Sequence, residues 1–208
     1  MSLQIWLPFT QNFENQGVHA GIMENVGVNL INTQEISGKS AYFNGSERLV
    51  IANTDTFLHD KTKAFSIAMW AKLPTSGSYM TLFCDRTKTG NGISIFWNPA
   101  ERGFRFDTGN SGDNQTFMRF SADEELPTEW THYCFVFNGK KKIIYKNGKL
   151  WKSVNASTMN LNAIGPNIYI GSSASHTGTH TENNYNYLIE TYLNDYRVYN
   201  HEISLAEI

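Results

Sequence analysis

Residues 130–154 read WTHYCFVFNGKKKIIYKNGKLWKSV, and this stretch decides the fold. Two Asn-Gly pairs, at 138–139 and 147–148, separate three runs rich in aromatic and aliphatic residues. Asn-Gly accepts positive φ at both central positions of a tight turn, which predicts two type I′ hairpins and three consecutive antiparallel strands. Both faces of the first strand, 131–137, are largely apolar, so we expect a central strand that is covered on both sides and acts as scaffold.

Short strand signals separated by turns continue along the rest of the chain. They fall at 3–9, 65–72, 79–84, 92–97, 103–107, 116–120, 167–171 and 188–199, with a strand pair at 41–51 around the turn 44–46. This spacing predicts one all-β domain over residues 1–208, a two-sheet antiparallel jelly-roll β-sandwich. Ser204-Leu205-Ala206-Glu207 matches a capping box, so one short C-terminal helical turn should dock on the sandwich.

Composition argues against several classes of protein. The net charge of −2 leaves no wide basic surface for nucleic acid, and mean hydropathy is −0.40. No apolar run approaches the roughly 20 residues that span a bilayer, so membrane insertion is not expected. Lys140–Lys142 are interpreted as solvated lysines that protect a sheet edge. Cys84 and Cys134 are expected to be buried free thiols, although one bridge between neighbouring strands stays open.

Enzymatic activity is not expected. Hydrolysis of a glycosidic bond needs two carboxylates that flank the bond, and no strand carries alternating acidic residues. The densest acidic run, Asp123–Glu125, precedes Leu126-Pro127 and is interpreted as a solvated loop. No nucleophile elbow, metal-binding helix motif or Gly-rich phosphate loop is present in the sequence.

Two places combine aromatic rings with amides, the mixture that suits the apolar face and polar rim of a sugar. One is Trp97-Asn98 at the end of a strand, and the other is the long loop 172–187. The candidate residues in this loop are Asn183, Asn184, Tyr185 and Tyr187. Long loops in compact domains are often functional. The alternatives are that Trp97 belongs to the core and that the loop binds nothing.

Five pieces of sequence, taken in order, resemble laminin-G-like, concanavalin A-like jelly rolls of lectin and pentraxin type. They are GKSAYFNG at 38–45, FSIAMW at 65–70, WTHY at 130–133 with YKNGK at 145–149, IYIG at 168–171 and LNDYRVYNHEIS at 193–204. The resemblance implies the fold over nearly the whole chain. It does not fix a ligand, because this fold carries lectins, glycosidases, adhesion modules and structural domains.

The resemblance also implies a structural calcium ion. Related domains bind it with an aspartate of the last strand and oxygens of an early turn, which correspond here to Asp195 and to Asn44-Gly45. Calcium takes six to eight oxygen ligands, so water or the N-terminal segment would have to complete the site. The alternative is that Asp195 pairs with Arg197 or Arg48.

The opening, Ile5–Phe9 followed by Asn15-Gln16-Gly17, resembles domains of this kind that bacteriophages encode. The N-terminus lacks the features of a Sec signal peptide, which a virion protein assembled in the host cytoplasm does not need. The function expected is therefore a non-enzymatic carbohydrate-binding module of a phage virion, with glycans and other virion proteins as partners. A purely structural decoration of capsid or tail and a calcium-dependent extracellular adhesion domain are the alternatives. The oligomeric state stays open.

Overall fold

A computed structural model describes residues 2–19, 21, 23–33, 36, 38–52, 64–86, 92–109, 116–156, 165–173 and 187–208. Within these ranges the chain forms fifteen β-strands and no helix, which confirms the predicted all-β sandwich. The strands are β1 Leu3–Leu7, β2 Met23–Val26, β3 Asn29–Asn32, β4 Lys39–Phe43, β5 Arg48–Ala52, β6 Phe65–Lys72, β7 Met80–Cys84, β8 Ile93–Asn98, β9 Gly103–Thr108, β10 Phe117–Arg119, β11 Thr131–Phe137, β12 Lys141–Lys146, β13 Lys149–Asn155, β14 Asn167–Ile170 and β15 Thr191–Tyr199. No membrane-spanning helix is found in the described part.

The strands form two antiparallel sheets that pack face to face. The larger sheet runs β13-β12-β11-β6-β15-β4-β3, and β1 pairs with β15 beyond the end of its ladder with β4. The smaller sheet runs β10-β9-β8-β7-β14-β5-β2. Neighbours such as β6 and β11 are far apart in sequence, so the chain crosses repeatedly between the sheets, as in a jelly roll.

The predicted double hairpin is present as β11-β12-β13, but its two turns differ. Asn147 and Gly148 both have positive φ, 50° and 73°, as a type I′ turn requires. In the first turn the Asn138 amide donates to the Lys141 carbonyl, and only Gly139 has positive φ. Gly139 is therefore the first central residue, which is the type II′ arrangement. The turn starts one residue later than predicted because the Asn138 side chain accepts bonds from the two following amides, at 140 and 141.

The core between the sheets is strongly aromatic. The Phe104 ring lies 4.8 to 5.1 Å, centroid to centroid, from the rings of Trp97, Tyr133 and Phe135. Each such tilted or edge-on pair adds about 0.5–1.5 kcal/mol beyond burial of area. Tyr196 of β15 is fully buried, and its hydroxyl donates to the Leu82 carbonyl of β7 at 2.9 Å. This bond joins the two sheets through the core.

The prediction of a strand pair at 41–51 is wrong, because the two strands do not pair with each other. β4 belongs to the larger sheet and β5 to the smaller one, so the turn between them is an arch that connects the sheets. The Glu47 carboxylate holds this arch by accepting the amides of Asn44 and Ser46. Those hydrogen bonds outweigh the burial of Glu47 and lower its pKa. Alternation alone cannot separate an arch from a hairpin, because both place a turn between two strands.

The C-terminal segment, residues 200–208, covers half of the outer face of the larger sheet. The Ser66 hydroxyl donates to the His201 carbonyl and accepts the Ile203 amide. Ile203 packs in an apolar cluster on this face, with Ala68, Cys134, Val136, Ile143 and Tyr199. The predicted docking is therefore present, and β11 is covered on both sides at Cys134 and Val136.

Two further predictions concern this segment and the cysteines. Only half of the capping box is present: the Ser204 amide donates to the Glu207 carboxylate at 2.8 Å, but the Ser204 hydroxyl also donates to that carboxylate, at 2.9 Å, instead of accepting the Glu207 amide. The Glu207 amide donates to the Ser204 carbonyl. The segment nevertheless forms a single hydrogen-bonded turn instead of a helical turn, because one turn does not recover the entropic cost of starting a helix. Cys84 and Cys134 are buried, lie in different sheets and form no disulfide, so the alternative of a bridge is wrong.

Lys142 contradicts the interpretation of the three lysines as solvated. Lys140 and Lys141 are exposed, whereas Lys142 is buried between the edges of the two sheets. Its ammonium donates to the Phe106 carbonyl at 2.8 Å and to the Thr116 hydroxyl at 2.9 Å. Burial lowers the pKa of Lys142 to about 8, and the nearby Asp107 carboxylate opposes that shift.

We expect Lys142→Met to raise the free energy of unfolding near pH 7 by on the order of 1–3 kcal/mol, because the folded protein then no longer buries the Lys142 ammonium. The pKa of Lys142 is lower in the folded protein than in the unfolded chain. Between about pH 8 and 10.5 the unfolded chain therefore binds more protons than the folded protein, and the stability of the wild type should rise relative to that of the variant as the pH increases. Urea unfolding of both proteins at pH 7 and pH 10 measures this difference. A difference that does not change with pH would contradict the account.

Candidate functional site

A groove of about 500 Å³ lies on the outer face of the larger sheet, beside the C-terminal segment. Its floor comes from β6, β11 and β15, and the β12–β13 turn forms one side. The residues that give the groove its chemistry are Trp70, Trp130, His132, Asn147, Asp195 and Arg197. The volume falls within the range of small-molecule and sugar-ring sites in proteins.

Strand alternation explains why aromatic residues line this groove. β6 buries Phe65, Ile67 and Met69 in the core and therefore turns Trp70 to the outer face. His132 of β11 pairs directly with Trp70, and the two ring centroids are 5.3 Å apart. Both side chains are half-buried, since the C-terminal segment does not cover this part of the face.

A β-bulge brings the charged residues to the groove. The ladder between β15 and β6 pairs Asn194 with Trp70 and then Arg197 with Ala68, so two residues of β15 face one of β6. Asp195 takes up this extra length with φ of 47°, a left-handed conformation that aspartate tolerates better than most residues. Tyr196 consequently keeps its place in the core.

The Asp195 carboxylate is bound on both oxygens. Arg197 donates Nε to Oδ1 and a terminal nitrogen to Oδ2, both at 2.8 Å, in a bidentate pair. The Trp6 indole N–H also donates to Oδ1 at 2.8 Å. The Arg197 guanidinium lies 5.4 Å from the centroid of the Trp6 ring. The groove therefore contains an acid and a base that largely neutralise each other.

His132 is fixed through its backbone by the β12–β13 turn. The His132 amide donates to the Asn147 side chain, and the Asn147 amide donates to the His132 carbonyl. Burial lowers the pKa of His132; Asp195 opposes this shift and Arg197 adds to it. The neutral ring is therefore the favoured form near pH 7.

Two buried polar atoms of groove residues, Nε1 of Trp130 and Nδ1 of His132, have no hydrogen-bond partner among the described residues. Three other indoles differ from Trp130 in this respect. The Trp6 N–H donates to the Asp195 carboxylate, and the Trp97 N–H donates to the Pro74 carbonyl, both at 2.8 Å. The Trp151 N–H donates to the Glu124 carboxylate at 3.0 Å. An unpaired buried donor costs about 1–3 kcal/mol. A ligand that brings an acceptor to Trp130 would recover this free energy.

The structure corrects the prediction for Trp97 and Asn98. Trp97 is fully buried on the inner face of β8, where Phe104 and Phe120 cover its ring. Asn98 is also buried and accepts the Glu101 amide in the β8–β9 turn. Neither side chain offers a surface to a sugar, and the alternative that Trp97 belongs to the core is confirmed.

Tyr187, the one loop candidate that the structure describes, lies at the opposite end of β15 from Arg197. Asn183, Asn184 and Tyr185 are outside the described residues. Tyr187 is half-buried, and the following residue donates its amide to the Gly171 carbonyl where the loop closes. Tyr187 is therefore not brought to the groove.

The residues named for calcium do not form one site. Asn44 comes directly after Phe43 of β4, and Phe43 pairs with Thr191 of β15. Asp195 lies four residues beyond Thr191, which is roughly 13 Å along the strand. Arg197 donates to both Asp195 oxygens. The alternative pairing of Asp195 with Arg197 is confirmed. No group of three acidic, histidine or cysteine residues in the described part could hold a metal.

Sequence reasoning missed this groove although its residues were in view. Trp130, His132 and Asn147 lie in the stretch that was interpreted as scaffold, and Trp70 lies on the outward face of β6. A signal was available, because the outward residue next to Trp70 across the ladder is a histidine instead of an aliphatic residue. Its use required the β6–β11 register, which local sequence does not provide.

Comparison with known proteins supports the fold. A family model described as "Concanavalin A-like lectin/glucanases superfamily" matches residues 43–208. A comparison with curated proteins finds no match. Similar solved structures include the botulinum neurotoxin serotype C1 binding domain, with a TM-score of 0.71 and 14 % identity. Another, with a TM-score of 0.70 and 15 % identity, bears a title stating that cell entry of botulinum neurotoxin type C depends on two ganglioside molecules. A third, with a TM-score of 0.68 and 14 % identity, is the binding domain of botulinum neurotoxin DC in complex with SialylT.

Each of these alignments covers 99–100 % of this chain and 49–50 % of the neurotoxin chain. This chain therefore spans about half the length of those proteins. At such identities the likeness shows the fold alone.

We expect Asp195→Asn to lower the pKa of His132 further, because the substitution removes the carboxylate that favours the imidazolium and leaves Arg197 uncompensated. NMR titration of the six histidines, with His132 assigned from His132→Gln, measures the change. Glu101→Gln, an exposed carboxylate in the β8–β9 turn, is the control and should leave His132 unchanged. A His132 pKa that rises in Asp195→Asn would show that the groove charges are wrongly assigned.

Proposed function

This chain belongs to the concanavalin A-like lectin/glucanases superfamily, and from that premise we propose that it is a non-enzymatic, lectin-like module that binds carbohydrate in the groove of its larger sheet. The proposal concerns Trp70, Trp130 and His132 as the contact surface. Asp195 and Arg197 fix the polar wall of the same groove.

The observation that carries the proposal is an aromatic groove at which two lining residues, Trp130 and His132, each have a buried polar atom without a partner in the described part of the chain. A sugar ring has an apolar face, which can pack on the half-exposed Trp70 ring, and a rim of hydroxyls that both donate and accept. The Trp130 N–H can only donate, and a neutral His132 Nδ1 donates or accepts according to its tautomer. A hydroxyl-bearing ring satisfies both groups, whereas a purely apolar ligand would leave them unpaired.

Binding, not hydrolysis, is the activity that this groove supports. A glycosidase needs one carboxyl group that donates a proton and a second that attacks or activates water. Asp195 is held by Arg197 and Trp6 and so acts as an acceptor of fixed hydrogen bonds. The other carboxylate at the groove, Glu207, belongs to the exposed C-terminal turn and accepts two bonds from Ser204.

The glycan ligands named for the neurotoxin neighbours also support a carbohydrate partner. That support is limited to the class of ligand. The neurotoxin chains are about twice as long as the part this chain matches, so their ligands do not identify the corresponding surface here.

We expect Trp130→Phe to weaken glycan binding about 3- to 10-fold, since it keeps the ring and removes one hydrogen-bond donor worth about 0.5–1.5 kcal/mol. Trp70→Ala should weaken binding more, by at least about 10-fold, because it removes the stacking surface. A glycan array followed by calorimetry measures both effects. Tyr79→Ala, which removes a half-buried aromatic side chain outside the groove, is the matched control. Equal losses in all three variants, or no binding by the wild type, would contradict the proposal.

We further propose that this module belongs to a bacteriophage particle, where it would aid adhesion to glycans of the host or its surroundings. Support comes from the resemblance of residues 5–17 to phage-encoded domains. Within the described residues β1 pairs along β15 and carries Trp6 to the groove, so the segment with that resemblance is part of the candidate site. Capsid or tail decoration and extracellular adhesion are the alternatives.

Mass spectrometry of purified phage particles tests this placement. We expect peptides of this chain at a fixed ratio to a major capsid or tail protein. Particles without such peptides, together with recovery of the chain in the culture medium, would favour the extracellular alternative. A virion that carries the chain but whose host adsorption is unchanged by Trp70→Ala would favour the purely structural role.

A further inference from the structure

The groove continues into a row of aromatic side chains that crosses the outer face of the larger sheet. Trp130 lies at the groove, with its ring centroid 6.3 Å from that of Tyr192 on β15. The Tyr192 ring in turn lies 4.6 Å from that of Tyr42 on β4. Asn29 of the edge strand β3 pairs with Tyr42 and ends the row. We call Trp130, Tyr192, Tyr42 and Asn29 the aromatic row.

Strand register explains why these side chains are in line. Tyr192 pairs with Lys72 on one side and with Tyr42 on the other, and Tyr42 pairs with Asn29. Paired residues on neighbouring antiparallel strands share a face, so the row runs perpendicular to the strands. From β11 to β3 it crosses four inter-strand spacings of about 4.8 Å, roughly 19 Å in total.

The row is open to ligands within the described part of the molecule. Trp130, Tyr192 and Tyr42 are half-buried, and Asn29 is exposed. Sheet faces that need covering usually carry aliphatic residues, as this sheet does beneath the C-terminal segment. Tyrosines are instead suited to a surface that is apolar at the ring and polar at its tip.

Charges of both signs lie near the row, which favours a ligand without net charge. Lys72 of β6 pairs with Tyr192 and lies on the same face, between Tyr192 and Trp130. Burial raises the pKa of Tyr42, and the nearby Tyr192, Glu190 and Glu47 raise it further. Carboxylates thus lie near this end of the row. At the other end Arg197 is held in its bidentate pair with Asp195.

We propose that the ligand is an internal stretch of a linear, neutral polysaccharide that starts in the groove and lies across the strands along the aromatic row. This inference rests on the proposed function. The groove ends at Trp130, whereas the row gives further rings of the same chain additional aromatic contacts. A ligand that reaches beyond the groove has no need of a free chain end.

Calorimetry with neutral β-1,3-glucan, β-1,4-glucan and β-1,4-mannan oligosaccharides of two and six residues tests this inference. We expect the six-residue form of the bound polymer to bind at least about 10-fold more tightly than the two-residue form. Tyr42→Ala should remove this gain and leave the affinity for the two-residue form unchanged. Tyr42→Phe, which keeps the ring, should retain most of the gain, and thermal melts confirm that both variants fold.

The outcomes separate the two proposals. One outcome is that the two-residue form binds, that Trp70→Ala abolishes this binding, and that the six-residue form binds no more tightly. In that case the polymer inference is wrong and the proposed function stands. If none of these oligosaccharides binds the wild type but a glycan found on the array does, the polymer inference is wrong and the proposed function stands. If no glycan binds, the proposed function is contradicted as well. Tighter binding of polygalacturonate than of the neutral polymers would also overturn the inference, because the row would then select charge.

Discussion

The ladder between β6 and β15 is the interaction on which the rest of the structure depends. β15 pairs with β6 along one edge and with β4 and then β1 along the other, so three strands meet on this one element. Tyr196 anchors the same strand to the smaller sheet through the core. The bulge at Asp195 lets β15 keep Tyr196 buried while it turns Asp195 and Arg197 toward the outer face. The groove is thus a consequence of one extra residue in one strand.

The outer face of the larger sheet is divided between two uses. The C-terminal segment covers an apolar half, where Ala68, Cys134 and Val136 need protection from water. The other half exposes aromatic rings and the neutralised Asp195–Arg197 pair, which suit a ligand with both apolar and polar surfaces. A single sheet face therefore provides both a docking surface for its own chain and a candidate binding surface. The groove lies where these two halves meet.

The sequence was informative about strands and turns because these depend on local chemistry. Asn147-Gly148 adopts the predicted turn, and β6 shows the predicted alternation of buried and outward residues. The sequence-based predictions were wrong where the structure of a segment depends on residues that are distant in the sequence. The turn after Phe43 proved to be an arch between sheets, and Lys142 is buried because β12 lies above Phe106 and Thr116.

The same limit applied to the site. Trp97 was a plausible sugar platform at a strand end, but the smaller sheet turns it inward. The calcium expectation paired Asp195 with Asn44-Gly45, which the register of β4 and β15 keeps apart. Only Asp195 was a correctly chosen groove residue, for a different role. The site needs the registers of β6 with β11 and with β15, and no local pattern encodes them.

The central claim is that carbohydrate enters the groove at Trp130, and the indole N–H signals of the five tryptophans test it most directly. In a nitrogen-15-labelled sample titrated with a glycan that binds, the Trp130 Nε1–H signal should move furthest, as this buried donor gains its first acceptor. The signals of Trp97 and Trp151 should stay in place, because their N–H groups are already bonded within the protein. A bound glycan that shifts Trp151 or Trp97 and leaves Trp130 unmoved would contradict the account.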